Sequence, residues 1–351
     1  MKKVFVGLSG GVDSAVAAAL LKKAGYEVIG GFIKISDLGL GGLENCAWRE
    51  ERREAIRVAA KLGCPLLTYD LSEAYRRTVL DYLINEYRLG RTPNPDVMCN
   101  QQIKFGEFFR RAISTGADFV ATGHYVRRRG QTLLVAKDQD KDQSYFLWTL
   151  TPAVLDRCLF PIGDYQKSEV RQLAKRFGLP NASKPDSQGL CFVGPIDFKD
   201  FLRQHLPQIN GVVLNETGEV VGEHDGSHFY TIGERHGFKL TRPSHTDSPQ
   251  YVVAKDHERN TLTIAPAKRS EELGKSELVL TQVNWLAGQP PNFNQTYQAR
   301  IRYRAPVIPC QLESTGTNQI KVVFKSGQIV APGQSGVIYD GETCLGGGVI
   351  L

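Results

Sequence analysis

Several features are missing from this chain, and each absence closes a class. No stretch approaches the roughly 20 consecutive apolar residues that span a bilayer. The start, Met1-Lys2-Lys3-Val4-Phe5, runs straight into strand-forming residues without a secretory leader, so a cytoplasmic protein is expected. The seven cysteines form no Cys-x-x-Cys pair and no Cys/His array of zinc-like spacing, which argues against a zinc module and a disulfide framework. Cys64, Cys158, Cys310 and Cys344 stand among apolar or turn residues and read as small buried groups in a reducing compartment. Cys46, in a glycine-rich stretch, is given no role. There is no fixed-period repeat and no low-complexity tract. Neither charge sign dominates: 43 Lys+Arg against 37 Asp+Glu gives a net charge of +6, too little to identify a nucleic-acid binder.

With 351 residues, 41% of them hydrophobic, the chain exceeds what one core usually serves, and two or three domains are expected. The first half alternates: strands over 3–8, 27–33, 66–70 and 118–122, helices over 14–23, 46–62, 72–87 and 103–114, and a turn-rich loop over 91–100. This pattern predicts an α/β fold with a parallel sheet covered on both faces and ligands beyond the carboxyl ends of its strands. A further helix over 167–177 is closed by Gly178 and Pro180. Past residue 206 only short strands and Gly/Asn/Asp turns remain, and those after residue 278 suggest a small barrel. The expected division is 1–206, 207–272 and 273–351. Two basic clusters stand out. Arg127-Arg128-Arg129 is expected at a hairpin tip, and Arg300-Ile301-Arg302-Tyr303-Arg304 along a strand with its arginines on one face, a solvated face or a phosphate-binding stripe.

Gly7-Leu8-Ser9-Gly10-Gly11-Val12-Asp13-Ser14 lies between a predicted strand and a predicted helix. Glycines let the backbone approach an anion, and N–H groups at a helix start complement negative charge. Ser9 and Ser14 add hydroxyl donors, while Asp13 could orient the loop or hold Mg2+ against phosphates. The run is neither the dinucleotide Gly-x-Gly-x-x-Gly fingerprint nor a loop ending in Gly-Lys-Ser/Thr. It resembles the signature of the ATP pyrophosphatase (PP-loop) superfamily, whose members split ATP between the α and β phosphates and adenylate an oxygen.

Two thiols keep unusual company. Cys99 follows Thr92-Pro93-Asn94-Pro95-Asp96, held extended by its prolines, with Asp96 near enough to handle protons or to cap a helix. Cys191 lies in a loop bounded by Pro185 and Pro195 and is expected to be accessible. A thiol becomes a useful nucleophile where its surroundings favour the thiolate. A phosphate loop with two such thiols points to ATP-driven sulfur transfer.

Further runs carry a full-length resemblance. They include Ile103-Lys104-Phe105, Ala121-Thr122-Gly123-His124-Tyr125, Lys141-Asp142-Gln143-Ser144-Tyr145-Phe146, Phe229-Tyr230-Thr231-Ile232-Gly233, Arg302-Tyr303-Arg304, Val330-Ala331-Pro332-Gly333-Gln334-Ser335 and Gly346-Gly347-Gly348. With the loop and the thiols, they make the chain similar to the bacterial tRNA-specific 2-thiouridylases. That resemblance implies an adenine nucleotide alpha hydrolase-like (PP-loop) domain, a small β-rich central domain and a C-terminal β-barrel that binds tRNA. It implies that Gly7, Leu8, Ser9, Gly10, Gly11, Val12, Asp13 and Ser14 bind ATP phosphates, with Ile33 and Gly123 at the adenine. It implies Cys99 as nucleophile, Cys191 as persulfide carrier and Asp96 as proton handler. Asn94, Pro95 and Asp96 would meet the target base, and His124, Lys141, Asp142, Gln143, Arg302, Tyr303 and Gln334 would contact tRNA. The implied reaction is 2-thiolation of the wobble uridine of tRNAs with Lys, Glu and Gln acceptors, using ATP with Mg2+ and sulfur from a relay protein or cysteine desulfurase. The chain departs from its relatives at Ile33, where methionine is usual, and at Glu234 and His236.

Other readings use less of the sequence. A PP-loop ligase or amidating enzyme acting on a small molecule explains the loop but neither thiol. A non-catalytic RNA-binding protein leaves the intact loop unexplained. An iron–sulfur cluster on Asp96, Cys99 and Cys191 is allowed by residue type, against the lack of the usual four cysteines.

Overall fold

A computed structural model describes residues 1–36, 47–186, 189, 191–192, 198–241, 248–266, 274–316 and 318–351. Cys46 lies outside them. The chain opens with β1 (Lys3–Gly7), α1 (Val12–Lys23), β2 (Glu27–Lys34), α2 (Ala47–Leu62) and β3 (Leu66–Asp70). A helical run follows, Ser72–Tyr75 passing through a π-helical stretch, Arg76–Leu80, into Asp81–Arg88. A second run joins Pro95–Met98, a π-helical Cys99–Phe108 and Phe109–Ser114. Then come β4 (Phe119–Ala121), the hairpin β5 (Val126–Arg129) and β6 (Thr132–Val135), β7 (Cys158–Leu159) and a helix, Lys167–Arg176.

Strands β1–β4 and β7 form one parallel sheet in the order β3-β2-β1-β4-β7. The central strand β1 is wholly buried at Val4, Phe5 and Val6, as a strand covered on both faces must be. The alanine-rich α1 buries Ala15, Val16, Ala17, Ala18 and Ala19. Its small side chains let it lie close on the sheet. Sheet order reverses at β1, with β2 on one side and β4 on the other, which opens a crevice beyond their carboxyl ends.

After the helix Phe198–His205, five strands form a second sheet: β8 (Gly211–Leu214), β9 (Val220–His224), β10 (Lys239–Leu240), β11 (Gln250–Asp256) and β12 (Thr261–Pro266). The last six are β13 (Lys275–Trp285), β14 (Thr296–Arg300), β15 (Ile308–Gly316), β16 (Gln319–Gln328), β17 (Ser335–Asp340) and β18 (Thr343–Ile350). They run β13-β16-β15-β14-β17-β18, and β13 pairs again with β18, closing a six-stranded barrel around Leu280, Leu312, Val322 and Ile338. The fold class is therefore as expected.

Three local expectations are corrected. The loop over 91–100 is helical from Pro95, because Asn94 Oδ1 accepts from Val97 N at 3.2 Å and a proline starts the turn. The cap is thus Asn94, not Asp96, and Cys99 sits on a helix. Arg127, Arg128 and Arg129 form β5 itself, below the tip at Gly130. Arg127 pairs with Glu342 and Arg128 donates to Cys158 O, so both are internal cross-ties. In the second basic cluster β14 ends at Arg300, and Arg304 takes a left-handed φ of 62, so the arginines do not share a strand face.

The barrel is not closed off from the first domain. β6 adds to β18 through Leu134 and Leu133 opposite Thr343 and Cys344. Beside this seam Arg300 Nη1 meets Asp142 Oδ2 at 2.9 Å, with only 13% and 1% of the two side chains exposed. Asp142 also accepts from Ala136 N, Ser144 N and Ser144 Oγ. Removing one partner of a buried, hydrogen-bonded pair strands the other charge. Asp142→Ala should therefore lose about 3–5 kcal/mol in urea denaturation, whereas Asp140→Ala, on the surface, should change stability by less than about 0.5 kcal/mol.

Candidate active site

The loop between β1 and α1 is shaped by its glycines and serines. Gly10 has φ 76, and a Cβ there would lie 2.5 Å from Glu51 O. Gly11 occupies the N-cap of α1 without a side-chain cap, leaving the first helical N–H groups to face the crevice. Ser9 and Ser14 hydroxyls lie 3.2 Å apart, and Ser14 Oγ donates to Gly11 O at 3.1 Å. Asn181 Nδ2 donates to Gly10 O at 3.0 Å. From β4, Gly123 packs against the same turn, where a Cβ would come within 2.7 Å of Ser14 N. Ile33, on β2, is 7% exposed and packs with Phe5, Leu71, Tyr75 and Cys99.

An ion cluster borders this loop. Lys167 Nζ contacts Asp13 Oδ1 at 2.7 Å and Asp186 Oδ1 at 2.8 Å. Tyr125 OH donates to Asp13 Oδ1 at 2.8 Å. Asp186 is also met by Arg171 at 2.7 Å and Lys141 at 2.9 Å. Burial pushes the Asp186 carboxyl up, but Lys167 and Lys141 outweigh it and draw it down to about 2. Cations thus outnumber carboxylates beside a loop built for an anion.

The thiols meet where the Asn94-capped helical run packs into the core that also holds Ile33 and Tyr75. Cys99, 1% exposed, is hydrogen-bonded to Cys191, which is partly buried. Tyr75 OH donates to Cys191 O at 2.8 Å, and the Cys191 N–H donates to the Asp96 carboxylate. Lys104 contacts the Cys191 sulfur and faces Cys99 and Asp96. The two thiols differ. Burial, then the contact with Cys191, drives the Cys99 thiol well above its ordinary range. The hydrogen bond from Cys99 and the charge of Lys104 bring Cys191 down to about 7, against burial. Asp96 is raised by burial, which Lys104 partly offsets.

Known proteins match this chain along nearly its whole length. Three family models match in series: a tRNA methyl transferase HUP domain over residues 2–195, a tRNA methyl transferase PRC-barrel domain over residues 199–266 and an aminomethyltransferase beta-barrel domain over residues 275–350. The tRNA-specific 2-thiouridylase MnmA of Thiobacillus denitrificans is 43% identical, with 99% of each chain covered. That of Geobacillus thermodenitrificans is 44% identical, covering 99% of this chain and 94% of its own. For Chromohalobacter salexigens the figures are 45%, 99% and 92%. The chain belongs to the tRNA-specific 2-thiouridylase family.

The positions that the family resemblance ties to tRNA fall into two groups. Arg302 is exposed and donates to Ile232 O at 3.2 Å, Tyr303 stacks on Phe146 at 4.3 Å, and Lys141 borders the Asp186 cluster. Lys141 and Tyr303 line an open pocket with Gln139, Asp140, Asp142, Arg300 and Arg304. The rest are inside. Asp142 is spent on Arg300, and Gln143 Oε1 accepts from Tyr125 N at 2.9 Å. His124 is buried between Phe105 and Phe160, with Nδ1 2.7 Å from Thr122 Oγ1. Burial, then Lys104, keeps it neutral. Gln334 Nε2 donates to Thr92 O and Pro93 O, and Thr92 N donates to Pro332 O at 2.7 Å, so a barrel loop holds the segment that precedes Asn94, Pro95 and Asp96.

Sequence reasoning missed Lys104, Tyr75, Lys167 and Asp186 as site residues. For Lys104 a signal existed, a lone cation between Ile103 and Phe105, both buried. For Lys167 and Asp186 none did, since Asp13 is 154 residues from Lys167. The contact at Gly123 yields a direct expectation. Gly123→Ala should leave the far-ultraviolet circular dichroism unchanged while displacing the α1 start, and ATP affinity measured by calorimetry should fall at least about tenfold, the equivalent of 1.4 kcal/mol.

Proposed function

We propose that this protein is an ATP-dependent sulfurtransferase that converts the C2 carbonyl of the tRNA wobble uridine to a thiocarbonyl. The observation that carries the reading is the pair of touching thiols, one inclined to ionise, on the core that packs against β1 and β2 of the sheet that carries the phosphate loop. Family membership supplies the substrate class, since the relatives are named for tRNA 2-thiolation. The matched models carry a methyl transferase description, but paired thiols beside a nucleotide loop suit sulfur transfer after adenylation.

Uracil O2 is a poor leaving group. Its attack on the ATP α-phosphorus expels pyrophosphate and makes it part of a departing AMP. Helix-start N–H groups of α1 with Ser9 and Ser14 hold the phosphates, and Lys167 exchanges its contact with Asp13 for them. Asp13, once released by Lys167, would hold the Mg2+ that accompanies ATP, and that ion would offset the charge of the phosphates.

A persulfide on Cys191 delivers the sulfur. Either its outer sulfur attacks C2 with loss of AMP and Cys99 then attacks Cys191 Sγ to release the product, or Cys99 attacks first and frees hydrosulfide that adds to C2. Both routes leave a Cys99–Cys191 disulfide that a two-electron reductant must reopen, and Asp96 is the acceptor for the Cys99 proton. The existing contact between the thiols supports either.

An iron–sulfur cluster does not suit these residues. The thiols contact each other instead of standing apart around a cluster, and no group of three or more His, Cys, Asp or Glu arranged for a metal occurs among the described residues. The sulfur source is a persulfide-bearing relay protein or cysteine desulfurase, and the compartment is the cytoplasm. No helix among the described residues is long and apolar enough to cross a membrane. Residues 1–206 hold the catalytic machinery, 207–272 the central β domain and 273–351 the tRNA-binding barrel.

Nucleoside analysis of tRNA incubated with ATP, a persulfide source and a reductant tests the proposal. Wild type should form 2-thiouridine, while Cys99→Ala and Cys191→Ala should lose at least about 10³-fold, as for removal of a covalent catalyst. A variant that kept its rate without Cys191 would instead mark a ligase acting through the loop alone.

A further inference from the structure

Lys104 comes five residues after Cys99. In an α-helix that spacing turns side chains about 140° apart. The stretch Cys99–Phe108 is π-helical, and its wider turn, bonded i to i+5, brings the two to within roughly 50° on one face. Asp96, on the preceding α-helical turn, shares that face. The long lysine side chain reaches past Cys99 to the sulfur of Cys191.

The opposite wall is also built for this contact. Phe192 takes a left-handed φ of 68, unusual for an aromatic residue. Its ring stands 5.8 Å from Lys104 Nζ and 6.2 Å edge-on from Tyr75, whose hydroxyl fixes the Cys191 carbonyl. The groups facing Cys191 are thus Cys99, Lys104, Asp96 and Tyr75, and Lys104 also faces the neutral His124. Among them Lys104 is the one cation. Burial would strip its proton, yet Cys191, Cys99 and Asp96 together raise its pKa, so it remains an ammonium.

We propose that Lys104 is a positioning residue for the sulfur chemistry. Delivered to the thiols by the π-helical turn and held against Phe192, it is the cation that stabilises a thiolate at Cys191. The inference rests on the function proposed above: the thiolate that Lys104 holds is the one that takes up sulfur. In loading, the Cys191 thiolate attacks the outer sulfur of a donor persulfide, R–S–SH. The bond from Cys191 Sγ to that sulfur forms, the donor S–S bond breaks, and R–S⁻ leaves with the electron pair. No net oxidation occurs.

The test is the pH dependence of Cys191 alkylation by iodoacetamide in the full-length protein, read by mass spectrometry of the Cys191 peptide. The wild-type midpoint should lie near pH 7. Lys104→Met should raise it by at least about one unit and Lys104→Arg should hold it near the wild-type value. At pH 7 the methionine variant should take up sulfur from a small-molecule persulfide at least about fivefold more slowly, and it should recover at pH 9. Asp96→Asn, which removes an opposing charge, should lower the midpoint and provides the test if Lys104→Met does not fold. A wild-type midpoint near 9, an unmoved midpoint in folded Lys104→Met or an unmoved or raised one in Asp96→Asn overturns the assignment. Alkylation requires neither ATP nor tRNA. Failure here is therefore distinct from failure of the proposed reaction, which would appear as wild-type protein that makes no 2-thiouridine.

Discussion

An anion held away from water is stable only where donors and a cation stand against it. The thiol rim of this molecule is organised by that constraint. Cys99 gives the hydrogen bond, Lys104 the charge, and Tyr75 and Phe192 the geometry. The same burial that would suppress ionisation strengthens each contribution, because local dielectric is low. Burial also treats the two sulfurs unequally: the one deeper in the helix stays protonated, and the one on the adjoining segment is inclined to ionise.

A second concentration of charge borders the loop between β1 and α1 and is joined to the first through the chain itself. Asp13 belongs to the phosphate loop, while Asp186 stands on the segment that leads to Cys191, and Lys167 touches both. In the proposed reaction, phosphates entering the loop compete for that lysine. Asp186 is held at the same time by Arg171 and Lys141, so in the proposed reaction this cluster is the link between the loop and the segment that leads to Cys191.

The barrel contributes more than surface. Its loop at Pro332 and Gln334 holds Thr92 and Pro93, and Ser335 accepts from Tyr145 OH and Trp148 Nε1. Together with the β6–β18 seam and the Asp142–Arg300 pair, these contacts set the angle at which the Asn94-capped helix presents Asp96 and Cys99. Two residues of the family's tRNA-linked set, Asp142 and Gln334, are engaged in this framework.

Periodicity and punctuation alone determined the parallel sheet, the loop that follows β1 and the change to β structure past residue 206, because these are local consequences of side-chain spacing and of glycine and proline stereochemistry. The two thiols were legible as well, since short runs around each departed from ordinary core composition. Tertiary structure decided the rest. No local rule reports that a helix will widen to π geometry and so stack Lys104 under Cys99, that Arg300 will turn inward to Asp142, or that Lys167 will join carboxylates 154 residues and 19 residues away. Those outcomes depend on which charges are desolvated together, and that is settled only when distant segments pack.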